Sequence, residues 1–127
     1  MPLRVGAVQA RVGYPTGVVG EERRGGRMTI VEFLLARIGE DLEYWRTMTD
    51  DPLMGAIADR YLDEAEVKVR VISEHPVAAD GGGQLYCERC SESEDSEGGG
   101  EPYPCMTLRA LGLVYEAHAD YLEEWRP

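Results

Sequence analysis

Residues 86–90 read YCERC, and the chain has only three cysteines, so this pair and what completes it decide how the fold is held. Two residues separate Cys87 from Cys90, a spacing that lets one tight turn aim both sulfurs at the same side. The third, Cys105, follows Tyr103-Pro104 and opens a run of helical character, where a helix N-terminal field favours a thiolate. Three thiolates around one tetrahedral metal leave one place to fill. The pattern points to one structural zinc ion, with buried or free thiols and a redox dithiol as the other readings. No βαβ pattern surrounds the pair, which disfavours redox chemistry. A deaminase zinc site needs H-x-E and then P-C-x-x-C; Pro104-Cys105 has no second cysteine and the chain has no H-x-E.

Two histidines, His75 and His118, compete for the fourth place. Cys105 and His118 fall on what reads as one helix, 13 residues apart, so about 20 Å separates them. His75 stands at the end of a helix with a flexible segment between it and Cys87, and it can reach. The expected ligand set is therefore Cys87, Cys90, Cys105 and His75, with water or an acid such as Asp80 as the alternative to His75. His118 is expected to be a partly buried polar residue.

Working outward, residues 29–48 carry Thr29 and Glu32 in capping-box spacing, and Ile30, Leu34, Ile38, Leu42 and Trp45 recur on one helical face, widened by Phe33 and Leu35. A helix is predicted from Ile30 to about Met48. Asp51 and Pro52 suit the N-cap and first position of a second helix, running to about Glu74. Met54, Ile57, Ala58, Tyr61, Ala65, Val69 and Ile72 are its candidate buried face. The alternating run Val67 to Val71 resembles a strand, but the helical frame around it has no turn residue. A short break makes the two helices an antiparallel hairpin. A knuckle hairpin follows, then an acidic loop over 91–101. A third helix is predicted from Cys105 or Met106 through His118, with Tyr121 and Trp125 paired on a last turn. The fold class is mainly α: a helical hairpin, a C-terminal helix and a small zinc-knuckle hairpin.

With 127 residues, 43% hydrophobic and 29% charged, the chain suits one domain. A net charge of −11 argues against direct nucleic-acid binding, which needs clustered Lys and Arg. No apolar run approaches the about 20 residues that span a bilayer. The odd cysteine count and lack of an export-type apolar run make a reducing cytoplasm the expected location. Residues 1–27 hold five arginines, two glutamates, six glycines and two prolines, and read as a disordered tail before a single domain over 28–127. Arg23-Arg24-Gly25-Gly26-Arg27 suits a translated ribosome-binding site, so Met28 is the expected native start. Native peptides from 2–27 would refute that.

Three runs carry a resemblance: Phe33, Leu34, Arg37, Glu40 and Asp41; then Glu66, Lys68, Arg70 and His75; then Pro104-Cys105-x-Thr107-Leu108-Arg109-x-Leu111, Tyr115, His118 and Asp120-Tyr121-x-x-Glu124-Trp125. Over about residues 28 to 127 the chain resembles a family of small uncharacterised proteins of actinobacteria and their phages, a domain of unknown function. Ala119 and Gly112 depart from it where Pro and Ala are usual. The resemblance implies a shared fold and His75, Cys87, Cys90 and Cys105 as a site, and no activity. The expected role is a zinc-stabilised protein–protein interaction module of phage or mobile-element type, its partner an unknown protein. An acidic DNA mimic that occupies a DNA-binding protein and a zinc-dependent enzyme are the alternatives, the enzyme less favoured.

Overall fold

The computed structural model describes residues 27–91 and 103–127. The readings for residues 1–26 and most of the acidic loop lie outside the described residues. Helix α1 spans Ile30–Arg46. The Thr29 hydroxyl accepts the Glu32 amide at 3.0 Å, the first half of the expected capping box. Its buried face is Ile30, Phe33, Leu34, Arg37, Ile38 and Leu42. The helix stops two residues short of Met48. There the Thr47 and Thr49 hydroxyls bond the carbonyls of Tyr44 and Arg46, at 2.6 and 3.0 Å, and compete with further helical turns.

Helix α2 spans Gly55–Ser73, starting later than Pro52. Asp51 nevertheless acts as a cap: its carboxylate accepts the amides of Leu53 and Met54 at 2.8 and 2.9 Å. Its carbonyl accepts the Gly55 amide at 2.9 Å. The turn over 52–54 brings the chain back so closely that a Cβ at Gly55 would lie 2.8 Å from the Thr49 carbonyl oxygen. Glycine is therefore required there. The buried face is Ala58, Leu62, Ala65, Val69 and Ile72. Leu62 takes the place expected for Ile57 and Tyr61, which are both 44% exposed.

After α2, β1 (Val77–Ala79) and β2 (Leu85–Cys87) pair antiparallel, with Val77 opposite Cys87 and Ala79 opposite Leu85. Asp80 builds their turn. Its Oδ1 accepts the Gly82 and Gln84 amides, and Gly83 takes a positive φ of 84°.

Helix α3 spans only Met106–Leu113, and the expectation of one helix through His118 is corrected. Beyond it, amide bonds from Tyr115 to Gly112, His118 to Tyr115 and Tyr121 to His118 fold the chain into successive tight turns. A 3₁₀ turn at Glu123–Trp125 follows. The physical reason is Phe33. The rings of Tyr115, His118, Tyr121 and Trp125 all stand 5.1–6.3 Å from its centroid. A straight helix would carry residues 115 and 121 about 9 Å apart along its axis, too far to gather around one ring. The hydrophobic core is the inner face of α1 and α2, Leu108 of α3, Trp125, and the thiols of Cys87 and Cys105.

Polar contacts tie the last segment to α1. The buried Arg37 guanidinium meets Glu40 at 3.0 Å, Asp120 at 3.7 Å and His118 Nδ1 at 3.1 Å. Tyr115 donates its hydroxyl to Asp41 Oδ2 at 2.7 Å. Burial first, and then the Asp41 carboxylate, push the Tyr115 hydroxyl well above its ordinary value of 10.0. The folded chain therefore keeps a proton that the unfolded chain loses above about pH 10, so this contribution is full below that pH and declines above it. Tyr115→Phe is expected to cost about 1 kcal/mol at neutral pH and to flatten this part of the alkaline decline. Urea denaturation at about pH 8 and about pH 11 reads both effects. An alkaline slope equal to wild type would show that Tyr115 titrates as in the unfolded chain.

Candidate metal centre

Four elements bring the donors together. The end of α2 delivers His75, whose amide closes onto the Ile72 carbonyl at 3.1 Å. Pro76 then turns the chain into β1. Strand β2 ends at Cys87, and the turn after it supplies Cys90, its backbone held by the Ser91 amide and hydroxyl on the Cys87 carbonyl at 3.1 and 2.6 Å. Cys105 is the N-cap of α3. Its donors come from three stretches of sequence, yet His75, Cys87, Cys90 and Cys105 place their ligand atoms within 4.8 Å of one another.

His75 Nδ1 lies 3.5 Å from Cys87 Sγ, 3.5 Å from Cys90 Sγ and 3.7 Å from Cys105 Sγ. One imidazole nitrogen has a single lone pair or a single proton, so hydrogen bonding does not account for three equal approaches. A shared cation does. Around a tetrahedral ion with bonds of about 2.3 Å to sulfur and about 2.05 Å to nitrogen, N and S stand about 3.6 Å apart. The donor set fits a metal ion, and Nδ1 is the histidine atom that faces the sulfurs.

Cys87 and Cys105 are fully buried, while Cys90 and His75 are half-buried. Burial raises the Cys105 thiol above its usual range; the Leu108 amide near the start of α3 draws it back, and Cys87 opposes ionisation again. The helix start expected to favour the thiolate acts here through the Leu108 amide, but desolvation outweighs it. A cation between the sulfurs would reverse that balance, since a coordinating thiol is deprotonated.

Asp80, the acid considered for the fourth place, is committed to the hairpin turn. His118 is also elsewhere, but not for the reason expected. It leaves the helix axis, and its Nδ1 accepts the Asp120 amide at 3.0 Å while facing Arg37. A contact that the sequence reading missed ties the knuckle down: Arg89, between the two cysteines, pairs with Glu74, the residue before His75. Both are about half exposed, so the pair orients more than it stabilises. Its only signal in sequence is opposite charge beside two ligands.

A small, mainly α protein with a Cys₃His cluster where the end of α2, the β hairpin and the start of α3 meet is the class that fold and site define. The chain belongs to a family of unknown function (DUF6221), whose family model matches residues 47–127. The match begins at the end of α1, so the likeness at Phe33 to Asp41 lies outside it. No curated protein and no solved structure matches the chain. Among the described residues, no helix is long and apolar enough to cross a membrane.

Proposed function

We propose that this chain is a zinc-stabilised protein–protein interaction module. The observation that carries the zinc part of this reading is the set of three near-equal distances from His75 Nδ1 to the sulfurs, which agree with the bond lengths and tetrahedral preference of zinc. Soft thiolates with one imidazole also favour zinc over magnesium or calcium. The four protein donors would fill a tetrahedral shell. No position then remains for water or substrate, which sets the site against the zinc-dependent enzyme and makes it a structural clip. The clip joins the end of α2, the β hairpin and the start of α3. It suits a domain of this size, whose core alone is small. Three cysteines outside any disulfide suit a reducing cytoplasm. The resemblance to proteins of actinobacteria and their phages supports a phage or mobile-element setting.

Protein purified without chelator is expected to hold one zinc per chain by elemental analysis, and to melt at a lower temperature after stripping. Substoichiometric metal, with all three thiols titrating freely, would overturn the reading. The acidic DNA mimic keeps one supporting observation, the net charge of −11. Salt-fragile binding to a basic DNA-binding protein, competed by duplex DNA, would favour it.

A further inference from the structure

At the closed end of the helical hairpin, apolar side chains face outward. Tyr44 is 55% exposed, Leu53 87%, and Ile57 and Tyr61 are each 44% exposed. Ile57 and Tyr61, four residues apart, form a stripe on α2, and Leu53 stands in the turn before it. Half-buried Trp45 links that stripe to α1. Its ring stacks on Tyr61 at 4.4 Å with planes 10° apart, and Tyr44 meets it edge-on at 5.1 Å. Rings held this way lose little freedom when a partner covers them, and Trp and Tyr are the side chains that dominate binding energy at interfaces. The two helices beneath make a rigid base.

Charge selects the occupant. Residues 40–64 hold eight carboxylates and two arginines, a net of −6. Glu43, Asp50, Asp51, Asp59, Asp63 and Glu64 are all exposed on this end of the hairpin. A second copy would bring two such rims together within a chain already at −11, and like charges across an interface oppose it. A segment with an apolar stripe flanked by Lys or Arg meets both the rings and the rim. A helix presents such a stripe at the matching spacing.

We propose that Tyr44, Trp45, Leu53, Ile57 and Tyr61 form a docking surface for a basic amphipathic helix of another protein. The proposal rests on the reading of the chain as an interaction module and assigns that module its surface.

The test uses the full chain with its metal and an 18-residue Leu/Lys amphipathic peptide as probe, with Ser/Lys and Leu/Glu peptides as controls. The Leu/Lys peptide is expected to bind and to shift the amide resonances of Tyr44, Trp45, Ile57 and Tyr61. Affinity is expected to fall at least tenfold in Ile57→Ser and in Tyr61→Ser, and to hold in Val114→Ser, which changes an exposed apolar residue outside the patch. Leu53→Ser, outside the regular helix, gives the same comparison if the helix variants fold poorly. Equal affinity for the Ser/Lys peptide, shifts centred elsewhere, or no loss in the patch variants would overturn the proposal. So would a wild-type dimer in sedimentation that Ile57→Ser abolishes, since the occupant would then be a second copy. Metal content separates the two levels. A zinc-loaded chain that ignores the peptide refutes the surface alone, whereas a chain that never holds zinc refutes the scaffold.

Discussion

His75→Ala is expected to weaken metal binding by at least about a hundredfold, or about 2.7 kcal/mol. His75 Nδ1 faces all three sulfurs at 3.5–3.7 Å, and alanine would leave three thiolates and a water-filled gap. Metal binding and folding are one equilibrium at such a site, so lost affinity becomes lost stability. A loss of that size lowers the melting temperature of a domain near 100 residues by roughly 10 to 20 °C. The deficit should shrink once EDTA has stripped the wild type, because both proteins then lack the ion. His118→Ala makes the contrast. It removes the acceptor for the Asp120 amide and the neighbour of Arg37, so it should destabilise equally with and without metal, and leave metal affinity unchanged. Competition with a chromogenic chelator reads both variants. Loss of affinity in His118→Ala, with His75→Ala unaffected, would contradict the site.

Phe33→Ala is expected to cost about 3–5 kcal/mol, a large part of the stability of a small domain. Phe33 is fully buried. Four rings from the last segment surround it, and the Arg37 guanidinium lies 5.4 Å above its face. Alanine would leave a cavity under residues 115–125, a stretch with little regular structure of its own. That stretch should loosen first, seen as loss of near-UV signal from Trp125. None of these neighbours belongs to the metal cluster, so the deficit should persist after chelation. Urea denaturation gives the value, and a loss below about 1 kcal/mol would show that the segment closes over the gap.

The two variants probe the candidate metal cluster and the ring cluster around Phe33, and these differ in how visible they are in sequence. The face of α1 is legible because Ile30, Leu34, Ile38 and Leu42 repeat at helical spacing, and local periodicity is a property of the sequence itself. Val67 to Val71 could be assigned to a helix because the frame around them was unbroken. Cys87-x-x-Cys90 and the lone Cys105 point to a common site by their spacing, with unligated or redox thiols as the other readings.

Tertiary packing decided the rest. Whether Leu62 or Tyr61 turns inward depends on the angle at which α2 meets α1. Both lie at the border of the apolar arc, and Trp45 captures Tyr61 on the outside. The end of α3 was hidden for the same kind of reason. Leu108, Leu111, Val114 and His118 keep helical period in sequence, but Phe33, more than 80 residues earlier, gathers Tyr115, His118 and Tyr121 by turns that no local propensity encodes. The choice of His75 followed from helix length in the sequence reading, and from a different cause in the structure. His118 is held by Arg37 and Asp120, whereas Pro76 and the β1–β2 pairing carry the chain from His75 back to Cys87. The sequence by itself determined which residue types could form a metal site. Only the fold, by bringing three separate stretches within 4.8 Å, decided which of them meet.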